Sequence, residues 1–311
     1  TNINSQGQIN LANDNGKIKL KAGNNVNITG ATINNNGKES TTEVSATNNI
    51  NLQTVKEGHS LAIGFDSENG RKESSTADVG SQITGKGNIT LEANKDINIK
   101  AAEINSETAL TKIKAGNNVN ITAGESTSSI DEYHKHKGQS GGFSSITTNT
   151  REKTDLKEVL SSSVQGNQVE ISSQKDSNVT ASNIIATKDV NLTAGENVNI
   201  SSEKETTSSL KYYKETRSGI MGSGGIGFTI GKRSQADTYT EDAVNQVGST
   251  VGSTDGKVNI TSGKDVKIQA SDVIAKDDIN ITGQNVAIQN GDNVTNQSEK
   301  HEFKQSGLTV S

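Results

Sequence analysis

The sequence predicts an all-β chain: a right-handed parallel β-helix, or solenoid, with β-hairpin-like excursions from the rod. Three observations lead to this prediction. They are a phrase that recurs along the chain, pairs of aliphatic residues that flank one polar residue, and a spacing of 20 or 21 residues between equivalent pairs. The chain contains no proline, so no strand loses a backbone donor to that residue.

The recurring phrase is Lys-Ala-Gly-Asn-Asn-Val-Asn-Ile-Thr, which occurs identically at residues 21–29 and 114–122, with variants around Val198 and Val286. In and between these phrases, two aliphatic residues flank one polar residue, an alternation that buries one face of a strand and wets the other. The pairs are Ile89/Leu91, Ile97/Ile99, Val119/Ile121, Val169/Ile171, Val190/Leu192, Val198/Ile200, Val258/Ile260, Val266/Ile268, Ile279/Ile281 and Val286/Ile288.

The spacing of these pairs matches one coil of a β-helix. Val169 and Val190 are 21 residues apart, and Val266 and Val286 are 20 apart. In such a coil each short strand pairs in parallel with its equivalent about 4.8 Å along the axis, and a right-handed winding is favoured. The composition, 29% hydrophobic and 3% aromatic, suits this narrow interior better than one thick core.

Many strands are preceded by Asn or Asp. We expect these residues to form the corners between strands, because they tolerate left-handed backbone angles and bond their own backbone. A calcium ladder is the alternative, but the glycine-aspartate nonapeptide that builds one is absent. The predicted corner residues are Asn25, Asp96, Asn118, Asp189, Asn197, Asp265, Asp278 and Asn285.

Three longer stretches, about 53–83, 124–164 and 201–251, interrupt the coils, and a fourth begins near Gln297. Their landmark is a glycine followed by Phe or Leu, at 64–65, 142–143, 227–228 and 307–308. We therefore expect one continuous β-helix over residues 1–311. It would be built from cassettes of about 1–83, 84–164, 165–251 and 252–311, the last of them incomplete.

All eight aromatic residues lie in these excursions or in the start of the fourth. Two interpretations remain open. The excursions could pack on the rod with their aromatics as local core, or they could be exposed and bind a partner, since function concentrates on loops carried by a rigid scaffold. The aromatics are Phe65, Tyr133, Phe143, Tyr212, Tyr213, Phe228, Tyr239 and Phe303.

The sequence predicts no enzyme and no catalytic, cofactor or metal site. The glycine-rich phrase at 222–227 lacks the βαβ context of a dinucleotide site, and His134 and His136 have no evident third metal ligand. No nucleophile or acid-base constellation is recognisable, and the rod lacks the aromatic residues of a polysaccharide-lyase groove. A mildly acidic formal charge of −5 also disfavours a nucleic-acid partner, because phosphate binding needs a clustered excess of Lys and Arg.

One segment is locally basic. Between Lys204 and Arg233 there are six basic and two acidic residues, beside the weakly apolar stretch 218–230. Such a segment could contact an anionic membrane surface, and a solvated basic face is the alternative.

The Asn-Ile-Thr coils, the Tyr212-Tyr213 pair and the phrase Gly-Ile-Gly-Phe-Thr-Ile-Gly-Lys at 225–232 together resemble the filamentous-haemagglutinin repeats of bacterial two-partner secretion exoproteins. The resemblance is greatest to the second repeat region of contact-dependent growth inhibition effectors of the CdiA type. It covers essentially the whole chain, although the first excursion has no tyrosine pair.

This resemblance implies a segment of a large secreted stick protein. Such a protein is exported through a partner outer-membrane transporter and displayed at the bacterial surface, with a possible periplasmic holding stage. The segment would engage the target-cell outer membrane and help to pass a C-terminal toxin. An adhesin rod for a host glycan or protein is the alternative, and a lyase is a distant third. The residues that match membrane contact are Tyr212, Tyr213, Ile220, Met221, Phe228, Ile230, Phe143 and Phe65.

Overall fold

A computed structural model describes residues 6–66, 68–139, 143–222 and 227–310, and every regular element in these ranges is a β-strand. Most strands belong to a rod in which parallel strands form three columns. The parallel β-helix predicted from the sequence is thereby confirmed, while its right-handed sense stays a prediction.

Each coil of the rod contributes one strand to each column, and the described residues make eight coils. The first column contains β1 (Gln8–Leu11), β4 (Thr32–Asn35), β9 (Gln82–Gly85), the start of β12 (Glu103–Ala115), the start of β16 (Ser163–Ser173), β18 (Asn183–Ala186), β23 (Thr250–Ser253) and β26 (Asp272–Ile274). The second contains β2 (Lys17–Ala22), β5 (Thr41–Ala46), β10 (Asn88–Ala93), the ends of β12 and β16, β19 (Val190–Ala194), β24 (Val258–Ser262) and β27 (Ile279–Thr282). The third contains β3 (Val26–Thr29), β6 (Ile50–Gln53), β11 (Ile97–Lys100), β13 (Val119–Thr122), β17 (Ser177–Thr180), β20 (Val198–Ser201), β25 (Asp265–Gln269) and β28 (Asn285–Gln289).

The aliphatic pairs fill the interior of the rod, as their alternation predicts. Ile97 and Ile99 stack between Ile50 and Leu52 of the coil before and Val119 and Ile121 of the coil after, and all of these side chains are buried. Each buried aliphatic side chain contributes on the order of 1.5–3 kcal/mol, so many small, equal contributions along the axis replace one large core.

Polar ladders run along the outside of the same strands. The Asn98 Nδ2 donates to Asn51 Oδ1 at 2.9 Å, and the Asn120 Nδ2 donates to Asn98 Oδ1 at 2.8 Å. Because equivalent residues lie one strand spacing apart, a short amide side chain can reach its copy in the next coil. The asparagines of the Asn-Ile-Thr triplets therefore form a row of side-chain hydrogen bonds along the surface of the rod.

The corner residues act differently from the sequence-based expectation. Their side-chain oxygens bond the next coil: Asp96 Oδ1 accepts the Asn118 N–H at 3.1 Å, and Asn118 Oδ1 accepts the Asp176 N–H at 3.2 Å. None of the predicted Asn and Asp corners in the described residues has a left-handed backbone. The expectation of left-handed Asn and Asp was wrong, because neighbouring coils supply the partner that an isolated turn would take from its own backbone.

The left-handed corners are Gly30, Ala101, Ala181 and Ala270. Each follows a third-column strand at which the chain passes directly into the next coil. At the alternate third-column strands, β6, β13, β20 and β28, the chain instead leaves the rod. Excursions therefore occur after every second coil.

The excursions form one antiparallel sheet beside the rod. Its order is β29-β22-β21-β15-β14-β8-β7. Two coils advance about 9.6 Å and the two strands of a hairpin also occupy about 9.6 Å, so successive hairpins meet at hydrogen-bonding distance. We name this sheet the excursion sheet; its strands are β7 (Val55–Asp66), β8 (Asn69–Val79), β14 (Gly124–Gln139), β15 (Ser144–Leu160), β21 (Glu203–Gly222), β22 (Phe228–Val247) and β29 (Val294–Val310).

Where each hairpin returns to the rod, a buried serine donates a hydrogen bond to a backbone carbonyl. The Ser162 hydroxyl donates to the Thr122 carbonyl at 2.7 Å, and the Ser249 hydroxyl donates to the Ser201 carbonyl at 2.8 Å. Both carbonyls belong to the last residue of the strand from which the chain departs. Each carbonyl also accepts the N–H of a left-handed corner, Ala101 at 3.1 Å for Thr122 and Ala181 at 2.9 Å for Ser201, so the serine hydroxyl supplies its second donor.

We predict that Ser162→Ala lowers the free energy of unfolding by about 1–3 kcal/mol, because it removes the acceptor of the buried Ala102 N–H, 3.1 Å away, and the second donor to the Thr122 carbonyl. Urea denaturation followed by circular dichroism measures the change. Ser161→Ala is the matched control, since that neighbouring side chain is exposed. Equal stability of the two variants would show that the hydroxyl is not needed at the return.

Candidate interaction surface

Both faces of the excursion sheet are exposed to solvent. Every aromatic side chain described in it is exposed or half-buried, and its few buried residues include Ala236, Thr229 and Asp78. Of the two interpretations that the sequence left open, the structure disfavours the local core and favours an exposed surface. An antiparallel sheet normally packs one face on a core, so two open faces call for an explanation.

The register of the strands sorts the side chains into two faces of opposite charge. One face contains the row Tyr133, Arg151, Tyr212, Thr238 and Lys300, which lie directly opposite one another on successive strands. We call it the basic face, because its paired positions carry twelve basic and six acidic residues, a net charge of +6. These residues are Lys56, Lys72, Asp78, Glu125, Asp131, Lys135, Lys137, Arg151, Lys153, Asp155, Lys157, Lys204, Lys214, Lys232, Asp242, Lys300, Glu302 and Lys304.

The other face is the acidic face. Leaving aside Asp66, which pairs beyond a register shift, it carries four Lys or Arg and eleven Asp or Glu residues, a net charge of −7 with histidine neutral. These residues are Glu57, Arg71, Glu73, Glu132, Glu152, Glu158, Glu203, Glu205, Lys211, Glu215, Arg217, Arg233, Asp237, Glu241 and Glu299.

Ion pairs form within each face and leave the imbalance between the faces intact. On the basic face Arg151 Nη2 lies 2.7 Å from Asp131 Oδ2, and this guanidinium holds the pKa of the Asp131 carboxyl below its usual value. On the acidic face Arg217 Nε lies 2.6 Å from Glu215 Oε1, and it lowers the pKa of Glu215 in the same way. These carboxylates therefore stay charged at neutral pH.

An apolar row crosses the end of the sheet farthest from the rod. Leu308, Ile230 and Ile220 lie directly opposite one another, and the Ile220 N–H donates to the Phe143 carbonyl at 3.3 Å. We name these four residues the distal row. Their exposed fractions are 70% for Leu308, 51% for Ile230, 47% for Ile220 and 82% for Phe143. A contiguous group of exposed apolar side chains of this kind marks a contact surface.

Glycines lie directly beside the distal row. Gly219, Gly231 and Gly307 are opposite one another in the register, and a Cβ at Gly219 would lie 2.1 Å from the Phe143 carbonyl oxygen. Gly219 and Gly307 also have positive φ angles of 116° and 148°, which L side chains rarely adopt. Of these three glycines only Gly307 belongs to the repeated landmark, and together they allow the strands to approach closely beside the apolar residues.

The surroundings of the distal row contain basic but no acidic residues. Segments 133–151, 216–236 and 303–311 of the sequence lack Asp and Glu altogether. Lys232 lies two residues from Ile230 on the basic face, and Arg217 lies opposite Arg233 on the other face. Both faces are therefore basic near the row, and the acidic residues of the sheet lie nearer the rod.

The structure brings together only part of the predicted contact set. Ile220, Ile230 and Phe143 belong to the distal row, and Phe228 lies at the same end of the sheet, 40% exposed. Met221 is also at this end, but its position is on the acidic face.

The tyrosine pair lies elsewhere. Tyr212 is eight residues from Ile220 along β21, roughly 27 Å at the rise of a strand. Tyr213 occupies the acidic face, where its hydroxyl donates to Glu215 Oε2 at 3.5 Å. A strand turns adjacent residues to opposite faces, so the two tyrosines cannot act on one surface. The Phe65 side chain, Gly142 and residues 223–226 of the glycine-rich phrase lie outside the described residues.

Sequence reasoning missed Leu308 as a contact residue, although it had marked Gly307-Leu308 as the fourth copy of the landmark. It also missed the two charged faces, which appear only when odd and even positions are separated strand by strand. In the described ranges no three His, Asp or Glu residues cluster as metal ligands, and none contains a helix long and apolar enough to span a membrane.

A family model described as "Hemagglutinin repeat" matches residues 63–209 and 142–308. The chain belongs to the hemagglutinin-repeat family. It is also similar to the proteins named tRNA nuclease CdiA of Escherichia coli strain STEC_O31, 35% identical over 75% of this chain, and of strain 536, 39% identical over 59%. The 16S rRNA endonuclease CdiA of Enterobacter cloacae is 35% identical over 74% of this chain.

The matched part is only 6 or 7% of the length of these relatives. This hemagglutinin-repeat chain is thus a filamentous-haemagglutinin-type repeat region of a CdiA-like protein, which confirms the resemblance noted in its sequence. No solved structure matches it.

At the base of the excursion sheet, one buried carboxylate links hairpin and rod in this hemagglutinin-repeat chain. Asp78 lies 3.1 Å from Lys56 Nζ and 3.0 Å from Lys100 Nζ, and its Oδ2 accepts the Glu125 N–H at 3.1 Å. Burial by itself would raise the pKa of Asp78, but hydrogen bonds from Lys100, the Glu125 N–H and Lys56 together hold it below its usual value. The carboxylate joins the first hairpin, the second hairpin and the third column of the rod.

We predict that Asp78→Asn lowers the free energy of unfolding at pH 7 by roughly 1–3 kcal/mol, the range for a lost charge-assisted hydrogen bond. Because the folded-state pKa is lowered, the stabilisation is full above the unfolded value near 3.9 and is lost as the pH falls through the folded value. Urea denaturation at pH 7 and near pH 3 should show the gap between Asp78→Asn and wild type narrowing in acid. Asp277→Asn, at an exposed site, is the control; a gap independent of pH would contradict the role of the charge.

Proposed function

We propose that this chain is a non-enzymatic segment of a toxin-delivery exoprotein of contact-dependent growth inhibition. Its excursion sheet would contact the outer membrane of the target cell through the distal row and assist passage of a C-terminal toxin. The whole protein would be secreted through a partner outer-membrane transporter and displayed at the cell surface, after a possible holding stage in the periplasm. The family and the CdiA relatives support the delivery role in outline.

The distal row is the observation that carries the membrane contact. Four exposed apolar side chains stand at the far end of a sheet that the rod holds rigid, and burial of each in a bilayer interface contributes on the order of 1.5–3 kcal/mol. The segments around the row lack Asp and Glu, so each nearby Lys or Arg adds about 1 kcal/mol of attraction to anionic lipid. An apolar edge with basic residues behind it is the composition of an interfacial membrane contact.

The names of the relatives support a non-enzymatic role for the segment. They are called tRNA nuclease, 16S rRNA endonuclease and, in Yersinia pseudotuberculosis, deoxyribonuclease, yet all share this repeat sequence. A segment common to proteins named for different nucleic-acid substrates does not account for the difference between them. We therefore assign this segment to delivery and the nuclease activity of those proteins to parts outside it.

We predict that the triple variant Ile220→Ser, Ile230→Ser, Leu308→Ser binds vesicles of outer-membrane lipid at least tenfold more weakly than wild type, because one lost apolar contact already exceeds the 1.4 kcal/mol that a factor of ten requires. Flotation of the protein with vesicles in a density gradient measures the bound fraction.

The matched control is Ile130→Ser, since Ile130 is 40% exposed and lies on the acidic face of the same sheet, away from the row. Equal flotation of wild type and the triple variant would refute the distal row as the contact. Flotation of wild type that is insensitive to salt would remove the role of the basic residues, because such attraction is screened by ions.

A further inference from the structure

The opposite charges of the two faces have no role in the proposed membrane contact, which needs only the distal end of the sheet. The basic face has a net charge of +6 and the acidic face of −7, from the residues named above. A sheet that served only to hold the distal row at a distance could carry mixed charges on both faces. Here the two faces are complementary to each other.

Both faces are also free to be covered. In the described strands almost all side chains on either face are half-buried or exposed. Strands of 11 to 20 residues, seven of them side by side, give each face an area of roughly 1,800 Å², from about 3.4 Å per residue and 4.8 Å per strand. A stable protein interface needs only about 800 Å² from each partner.

We propose that copies of this chain associate side by side, with the basic face of one excursion sheet against the acidic face of the next. The occupant of each face is thus a second copy of this chain. Charge complementarity selects it, because the face that attracts the basic side is the other side of the same sheet. This inference goes beyond the proposed function and does not depend on it.

The geometry of such association is open-ended. The two faces that meet are different surfaces, so each added copy presents a free face of either charge, and no symmetry closes the assembly. Stacked sheets lie about 10 Å apart, which is less than the width of a rod built from facing sheets with side chains outside, so successive copies place their rods at opposite ends of the stack. Ile220, Ile230 and Leu308 lie on the basic face, so a copy stacked over that whole face also covers the distal row, and lateral association competes with membrane contact.

Three lysines of the basic face are suited to a test. Lys72, Lys214 and Lys304 form no ion pair within 4.0 Å among the described residues, so reversal of their charge breaks no such contact. Replacing all three by Glu changes the net charge of the basic face from +6 to 0.

On the acidic face Glu152, Glu158 and Glu203 likewise have no ion-pair partner in the described part of the chain. Replacing all three by Lys changes the net charge of the acidic face from −7 to −1. The two triple variants are matched in the number and size of the changes.

Sedimentation velocity of the full chain at about 10 mM salt, where the screening length reaches about 30 Å, tests the proposal. Wild type is expected to form a series of growing assemblies that dissociates near 1 M salt, where that length is about 3 Å. Each triple variant alone should associate at least tenfold more weakly. An equimolar mixture of the two should form 1:1 pairs and no larger species. The Lys→Glu variant keeps only its acidic face charged and the Glu→Lys variant only its basic face, so each molecule can bind one partner.

Three results would overturn the proposal. They are a wild-type chain that stays monomeric at low salt, a triple variant that assembles as strongly as wild type, and a mixture that forms no pairs. Circular dichroism establishes that both variants keep the β-sheet signal of wild type. Pairing in the mixture could not arise from unfolded protein, since it requires one intact face from each variant.

Discussion

The spacing of strands in the rod governs the rest of the structure. Parallel strands stack at about 4.8 Å, so two coils advance the chain by the width of two strands. A hairpin has that same width, and the chain leaves the rod after every second coil. Successive hairpins therefore fall into hydrogen-bonding register with no further adjustment, and seven strands join into one antiparallel sheet. The left-handed corners at Gly30, Ala101, Ala181 and Ala270 and the buried serines at the returns maintain this alternation of direct turns and departures.

A sheet held in this way does not need a core of its own. Isolated hairpins are marginal in water, but here the buried aliphatic stack of the rod fixes both ends of each one. Both faces and the far end are then available for contacts, with an excess of basic residues on one face, an excess of acidic residues on the other and a row of exposed apolar residues at the far end. The distal row suits a membrane surface, and the charged faces suit neighbouring copies of the chain. In both proposals the rod contributes position and rigidity, while the excursions contribute the chemistry.

The rod was predictable from sequence because its signal is local and repeated. The alternation in pairs such as Val119/Ile121 indicates which side chains are buried, and the spacing between pairs gives the number of residues in one coil. The excursions were recognised as interruptions, but their sheet depends on pairing between residues up to 82 positions apart, as for Phe228 and Val310, which no local pattern reveals. Tyr212 and Tyr213 were grouped because they are adjacent in sequence, whereas a strand separates them onto opposite faces. Leu308 was overlooked because it is far from Ile230 and Ile220 in sequence, and only the pairing of the strands places the three residues in one row. The division into four cassettes with the stated bounds stays a prediction.

Inserting one extra coil tests the spacing argument most directly. A second copy of residues 163–182 placed after Ser182 would put three coils, about 14 Å, between the second and third hairpins, so β15 and β21 could no longer pair. Hydrogen exchange measured by mass spectrometry should then show that amides of β15 and β21 facing each other lose protection, while pairing within each hairpin and within the rod stays protected. Unchanged protection across β15 and β21 would mean that the hairpins pair without regard to the rod, and the account of this fold would be wrong.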